Sequence, residues 1–195
     1  MTTATINLDR LKRVTYEIDI EGVTPLIVHR FSETAMQTIV DKNMGKTART
    51  RPPKDPVQEF NDSRYLLDED RDGFPAAGFK AAIIDSARNF PQVTMASLRQ
   101  SISVLGEGPS QLVAIEGERT MRQDYVRFGQ SSTDVRFRAQ YWPWAATIPV
   151  QVLQDQLTED ALIALVDAAG FGGIGEWRPS KSKTGDYGRF QVVAA

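Results

Sequence analysis

Residues 158–193 read TEDALIALVDAAGFGGIGEWRPSKSKTGDYGRFQVV. Thr158 is a side-chain N-cap, followed in the first turn by Glu159 and Asp160, where the helix dipole favours carboxylates. Leu162, Leu165, Val166 and Ala169 recur on one face, so an amphipathic helix packs that face on a core. Gly170 takes the position that ends such a helix. A glycine-rich loop follows, with Gly172, Gly173, Gly175, Gly185 and Gly188, and a short strand is predicted over 188–193. Helix, loop and strand make the closing half of an α+β unit, for which the preceding chain must supply the opening half.

Working outward, Val14, Tyr16, Ile18 and Ile20 alternate with Thr15, Glu17, Asp19 and Glu21. That period of two predicts a strand with one buried face, ended by Gly22. Phe79, Ala82, Ile83, Ala87 and Phe90 share one face of a helix that Pro91 closes. A short strand is predicted over 111–116, and the polar stretch 118–132 follows it. Val135, Phe137, Ala139 and Tyr141 alternate with Arg136, Arg138 and Gln140 in a strand running to about Trp142. Ala146, Ile148, Val150 and Val152 predict another, joined to it as a hairpin by the WPWA connection. Shorter helices are predicted over 32–40, 55–66 and 95–105. Residues 41–54 carry Lys42, Lys46, Arg49, Arg51 and Lys54 with two prolines, and read as a mobile loop. Stripped of insertions the order is β-α-β-β-α-β. The expected fold is therefore α+β and ferredoxin-like (RRM-like), an antiparallel sheet with both helices on one face and the other face open to a ligand. To it are added a long insertion or thumb loop and the C-terminal glycine-rich loop. Residues 1–195 are expected to form a single domain, with the insertion at about 32–72.

The chain has 195 residues, a net charge of −2, one histidine and no cysteine. Disulfides and thiolate metal sites are excluded. No cluster of His, Asp and Glu has ligand spacing, so neither metal nor other cofactor is expected. No apolar run reaches the length of a membrane span and the start lacks a signal-peptide pattern, which predicts a cytoplasmic protein. The overall charge argues against a uniformly basic polynucleotide binder. It is patchy, however: the basic 42–54 segment and the acidic 68–72 segment create opposite local fields.

Trp177, Arg178, Lys181, Lys183 and Tyr187 lie between the loop glycines. Cations for phosphates beside rings for bases are what an unpaired polynucleotide needs. A Walker cradle is not expected, because no GxxxxGK[ST] occurs and the helix precedes the glycines. Arg119, Arg122 and Arg127 stand beside Tyr125 and Phe128, and His29, Arg30 and Phe31 close the TPLIVHRF segment. His29 has no second histidine or lysine–serine arrangement near it in sequence, so it reads as non-catalytic and the protein as no enzyme. Trp142 and Trp144 read first as core or interface residues.

FPAAGFKAAIIDSAR (74–88), GIGEWRPSKSKTGDYGRFQV (173–192) and TPLIVHRF (24–31) resemble segments of the RAMP superfamily, the ferredoxin-fold proteins that form the spine of CRISPR effector complexes. With MRQDYVRFG (121–129) and DVRFRAQYW (134–142), the set is more closely similar to phage and prophage proteins linked to single-stranded DNA handling beside recombination genes. The resemblance spans roughly 14–193. It implies that Lys80 and the glycine loop contact a strand, and that the 42–54 loop acts as a thumb. It further implies a sequence-tolerant single-stranded DNA or RNA binder in a bacterial host cell, assembling side by side into a helical filament with a possible recombinase or annealing partner. The arginine that ends the RAMP helix motif is displaced here to Arg88. Three alternatives stand beside this reading: a CRISPR-type guide-RNA-binding backbone subunit, a RAMP endoribonuclease using His29, Asp41 or Asp55, and a structural phage subunit that assembles without nucleic acid.

Overall fold

The computed structural model describes residues 9–46, 53–128 and 132–193. The period-two residues form β1 (Arg13–Gly22), which continues after a short break as β2 (Leu26–Val28). The insertion holds α1 (Glu33–Asn43), α2 (Pro56–Asp62) and β3 (Tyr65–Leu66), and β4 (Asp72–Pro75) leads into α3 (Ala76–Ser86). Then come α4 (Met95–Ser101), β5 (Ile102–Val104), β6 (Leu112–Phe128), β7 (Ser132–Leu153), α5 (Glu159–Gly172) and β8 (Phe190–Val192). The sheet order is β3-β4-β6-β7-β1-β8, every pairing is antiparallel, and β2 and β5 also pair with β7. Without β3 and β4, the order β8-β1-β7-β6 with α3 and α5 as crossovers is an antiparallel α+β arrangement of the kind the periodicities predict.

One core joins the sheet to the helix layer. Ile18, Ile20, Ile148 and Val150 from the strands meet Phe79 and Ile83 of α3 and Leu162, Leu165 and Val166 of α5. The α3–α5 seam is pinned by the buried Ser86 hydroxyl, 2.8 Å from the Ile83 carbonyl and 2.9 Å from the Leu165 carbonyl. Gly170 lies inside α5 instead of ending it, and the helix runs on to Gly172. The reason is packing: a Cβ at Gly170 would collide with the backbone carbonyl of Phe190 in β8. No helix among the described residues is long and apolar enough to cross a membrane.

Two expectations about the strands are overturned. The WPWA segment is no hairpin turn, because β7 runs through it as one strand. Pro143 cannot donate to a ladder, and both neighbours are irregular beside it. The β6 register shifts between Gly117 and Arg119, while β1 gives way to β2 opposite Trp142–Trp144. The step is therefore a bulge. It drives Trp144 into the core, where its indole N–H donates to the Thr24 carbonyl at 2.9 Å and its ring meets Phe190 edge-on. The hairpin is instead β6–β7, and the polar 118–128 stretch is one of its strands. It is polar because most of its side chains face solvent in this outer part of the pair, the arm.

The open face of the sheet also differs from expectation. On β1, β8 and the second half of β7 it presents Glu17, Asp19, Glu21, Thr147 and Gln191, all exposed, and no ring. An acidic face without aromatics repels a polynucleotide and offers its bases no stacking surface.

Candidate nucleic-acid interface

An open groove of about 730 Å³ lies where the end of β2, α1 and α2 meet the arm. Its walls include His29, Arg30, Phe31, Lys54, Arg136 and Phe137. Ser63 builds its floor: the Ala139 N–H of β7 donates to Ser63 Oγ at 2.9 Å, and the Arg30 N–H donates to the Ser63 carbonyl at 2.9 Å. That clasp fixes the residues after β2 against the arm. Phe31 is left 61% exposed, an unusual position for a phenyl ring in a free protein. Carboxylates are present too, at Glu59, Asp62, Asp134 and Glu176. Lys54 answers two of them, with Nζ 2.7 Å from Asp134 and 3.5 Å from Glu59. Among the described residues, the ion-pair contacts of Arg30 and Arg136 are long, each at 4.0 Å, to Glu33 and Asp134 respectively. Such half-solvated pairs are worth little, so these two guanidinium groups can exchange partners at small cost.

Beside the groove, the glycine loop folds back onto the arm. Arg122 lies 5.3 Å from the Trp177 ring centre and 4.7 Å from that of Tyr187, while its Nε donates to Asp124 at 2.7 Å and its NH1 to Gln140 at 3.0 Å. Burial works against its charge, but the bonds to Asp124 and Tyr187 outweigh that and hold it protonated. Asp124 also accepts from Arg138 NH1 at 3.2 Å. Arg138 is 2% exposed, a buried cation that also meets His29 Nδ1 at 3.3 Å, Glu176 at 3.9 Å and the Trp177 ring, whose centre is 5.9 Å away. Gly175 permits the fold-back: it has φ of 76°, and a Cβ there would strike the Ile27 carbonyl. The Glu176 N–H then donates to that same carbonyl at 2.8 Å.

His29 titrates far from its usual range. Burial first, then the charges of Arg138 and Arg136, lower its pKa to about 4. The ring is neutral near pH 7, with Nδ1 used as an acceptor. Among the described residues no three groups of His, Asp or Glu come close enough to hold a metal ion.

Of the residues singled out by sequence, His29, Arg30, Phe31 and Lys54 line the groove, and Arg122, Trp177 and Tyr187 form its neighbouring cluster. The others are placed apart from it. Arg119 donates to the buried Asp72 at 2.6 Å, which also receives Arg64 at 2.9 Å. Burial would raise the Asp72 pKa, yet the two guanidinium groups lower it overall. Arg178 turns back to the Gly175 carbonyl at 2.5 Å. Lys181 points to Asp85 of α3 at 3.9 Å, across a second hollow between α3 and α5. Lys46 pairs with Asp41 at 2.9 Å, Lys42 and Lys183 are exposed, Lys80 sits half-buried on α3, and Arg127 is exposed on the arm. Arg49 and Arg51 lie outside the described residues. Sequence reasoning missed Arg136, Phe137, Arg138, Asp124 and Glu176. The arm's alternation was visible, but alternation shows which residues share a face and not which face becomes covered.

No family model and no curated protein matches the sequence. Among solved structures, the crystal structure of Cmr6 from Pyrococcus furiosus is similar over 94% of this chain and 100% of that one, with a TM-score of 0.41 and 11% identity. No family is assigned on this likeness. It is too slight to carry an argument about fold or function, and the fold stands on the strand order.

Proposed function

We propose that the protein is a non-catalytic, sequence-tolerant binder of single-stranded nucleic acid, with the strand lying in the groove beside the arm. The observation that carries this reading is the meeting of two weakly paired guanidinium groups, Arg30 and Arg136, with the rings of Phe31, Phe137 and His29 in one open groove. Phosphates would displace the 4.0 Å carboxylate contacts, and bases would stack on the exposed phenyl ring. The acidic open sheet face would direct the strand to this side. His29 supports a binding role over a nuclease one, since a group with pKa near 4 is a weak general base at neutral pH. The biological setting that accompanies this reading is the one the sequence resemblance implies, single-stranded DNA handling beside phage recombination genes, with copies binding side by side along the strand.

The test is a fluorescence-anisotropy titration with matched labelled single-stranded DNA, single-stranded RNA and duplex across about 50–400 mM salt. The proposal expects single strands to bind well ahead of duplex, with affinity falling steeply as salt rises and no strand cleavage over the incubation. Salt-independent binding, or a preference for duplex, overturns it. Preference for RNA over DNA would retain the groove and replace the DNA setting.

A further inference from the structure

The hollow between α3 and α5 measures about 320 Å³ and lies where both helices end. Ala82, Ala168, Ala169, Gly172 and Gly173 make small-residue walls, and Phe171 stands beside them 71% exposed. The undescribed segments adjoin none of these residues in sequence. Gly173 is required by its φ of 69°, but Gly172 is not: a Cβ there would meet only Ser180, at 3.5 Å, an ordinary contact. Glycine weakens a helix relative to alanine, so α5 is weaker here than its packing demands, and the hollow stays open. Its border is basic. Arg88 and Lys181 reach Asp85 only at 3.8 and 3.9 Å, with side chains 70% and 61% exposed, and Lys183 lies exposed two residues further on. Three cations thus stand against one carboxylate. The partial negative charge of two helix C-termini, added to Asp85, makes the floor a poor phosphate site and a suitable one for peptide N–H groups.

The complementary feature lies at the other end of the sheet. β3 and β8 are its outermost strands, and α5 packs on β8 through Gly170 and Phe190. In the turn from β3 to β4, Asp68, Glu69, Asp70 and Arg71 are all exposed, three carboxylates to one arginine. Asp68 holds the turn in shape: it accepts from the Asp70 and Arg71 N–H groups at 3.1 and 2.8 Å and from Arg71 Nε at 2.7 Å. Arg71 is also anchored to Glu107 at 3.0 Å. The side chains of Glu69 and Asp70 have no hydrogen bond or ion pair among the described residues, and Leu66 beside them is 48% exposed. We infer that the hollow receives this acidic turn from a second copy of the chain, with Glu69 and Asp70 on Arg88 and Lys181 and Leu66 against the small-residue walls and Phe171. Charge argues for this occupant, since the acidic excess of the turn answers the basic excess of the border. A turn already clamped by its own hydrogen bonds loses little freedom on docking. The two surfaces differ and sit at opposite ends of the sheet, so the contact is head-to-tail and each chain can hold a neighbour at either end. The contact stands on these observations alone; with a strand in the groove it would join neighbouring copies.

Sedimentation velocity without nucleic acid, from about 1 to 200 µM, tests this at the affinities expected of a small interface. The wild type is expected to grow in mean mass across that range. Arg88→Glu spoils the hollow, and Glu69→Lys with Asp70→Lys spoils the turn. All three residues are exposed, so both variants are expected to keep the circular dichroism of the wild type while self-association weakens about tenfold or more. Mixed in equal amounts, the two variants retain one good turn and one good hollow between them. They are expected to form a one-to-one pair that does not grow further. A wild type that stays monomeric throughout, a variant that assembles as the wild type does, or a mixture that forms no pair overturns the inference. An anisotropy titration with a single-stranded oligonucleotide too short for two copies separates this contact from nucleic-acid binding. Arg88→Glu is expected to match the wild type there; a loss of about tenfold would give the hollow to the strand and overturn the inference.

Discussion

Nδ1 of His29 accepts from Arg138 while burial and two arginines hold the ring's pKa at about 4, against an ordinary 6.5. As pH falls, the unfolded chain takes up this proton before the folded one does. Stability from this residue is therefore complete above about pH 6.5 and is lost as pH falls toward 4. Allowing for solvent screening of a half-buried ring, the loss is on the order of 1–2 kcal/mol. Urea midpoints at pH 7.5 and 4.5 should show it, and His29→Gln should flatten the difference. Asp72 acts in a separate window: its lowered pKa places its contribution above the ordinary carboxylate value of 3.8, with the loss only below that. The Asp124–Arg138 pair is the other critical point at this scale. Asp124→Asn leaves the buried Arg138 guanidinium with only the longer contact to half-solvated Glu176, and should cost about 3 kcal/mol of unfolding free energy in a urea titration. None of this was legible in the sequence, where Arg138 is one of several arginines in an alternating row. Its burial depends on the glycine loop, whose position depends in turn on Gly175 and the Ile27 carbonyl.

At the scale of elements, long periodic segments were legible and polar ones were not. β1, α3 and α5 follow directly from their spacing, because one face of each is buried in the common core. β6 was legible only as far as its apolar start at 112–115. Beyond that its residues pair with β7 without a helix above them, so the strand carries no hydrophobic signature. The Trp–Pro–Trp step misled for a related reason: proline interrupts a ladder whether the chain turns or bulges, and only the neighbouring strands decide which. The glycine loop was legible as a special segment, though its rings serve to bind it to the arm, while Arg178 bonds back within the loop and Lys181 faces α3. Arg122→Met removes the cation between Trp177 and Tyr187. It should raise hydrogen exchange across 176–187 and lower stability by about 1–2 kcal/mol. Gly175→Ala forces a side chain into a left-handed conformation against a backbone carbonyl, and should cost roughly 2–3 kcal/mol by thermal unfolding.

Across the whole molecule, the net charge of −2 is unevenly distributed. Carboxylates occupy the open sheet face, while Arg30, Arg136 and the rings of Phe31 and Phe137 gather where the arm meets β2. The basic residues of the sequence do not form one continuous track, since Lys181 faces α3 and Arg119 is held by Asp72. The distinction between groove and glycine loop is open to direct measurement by binding a labelled single-stranded oligonucleotide to Arg136→Glu and Lys181→Glu in parallel. If the groove holds the strand, Arg136→Glu loses on the order of tenfold or more in affinity while Lys181→Glu stays close to the wild type. The reverse pattern, with Lys181→Glu impaired and Arg136→Glu unchanged, would contradict the account.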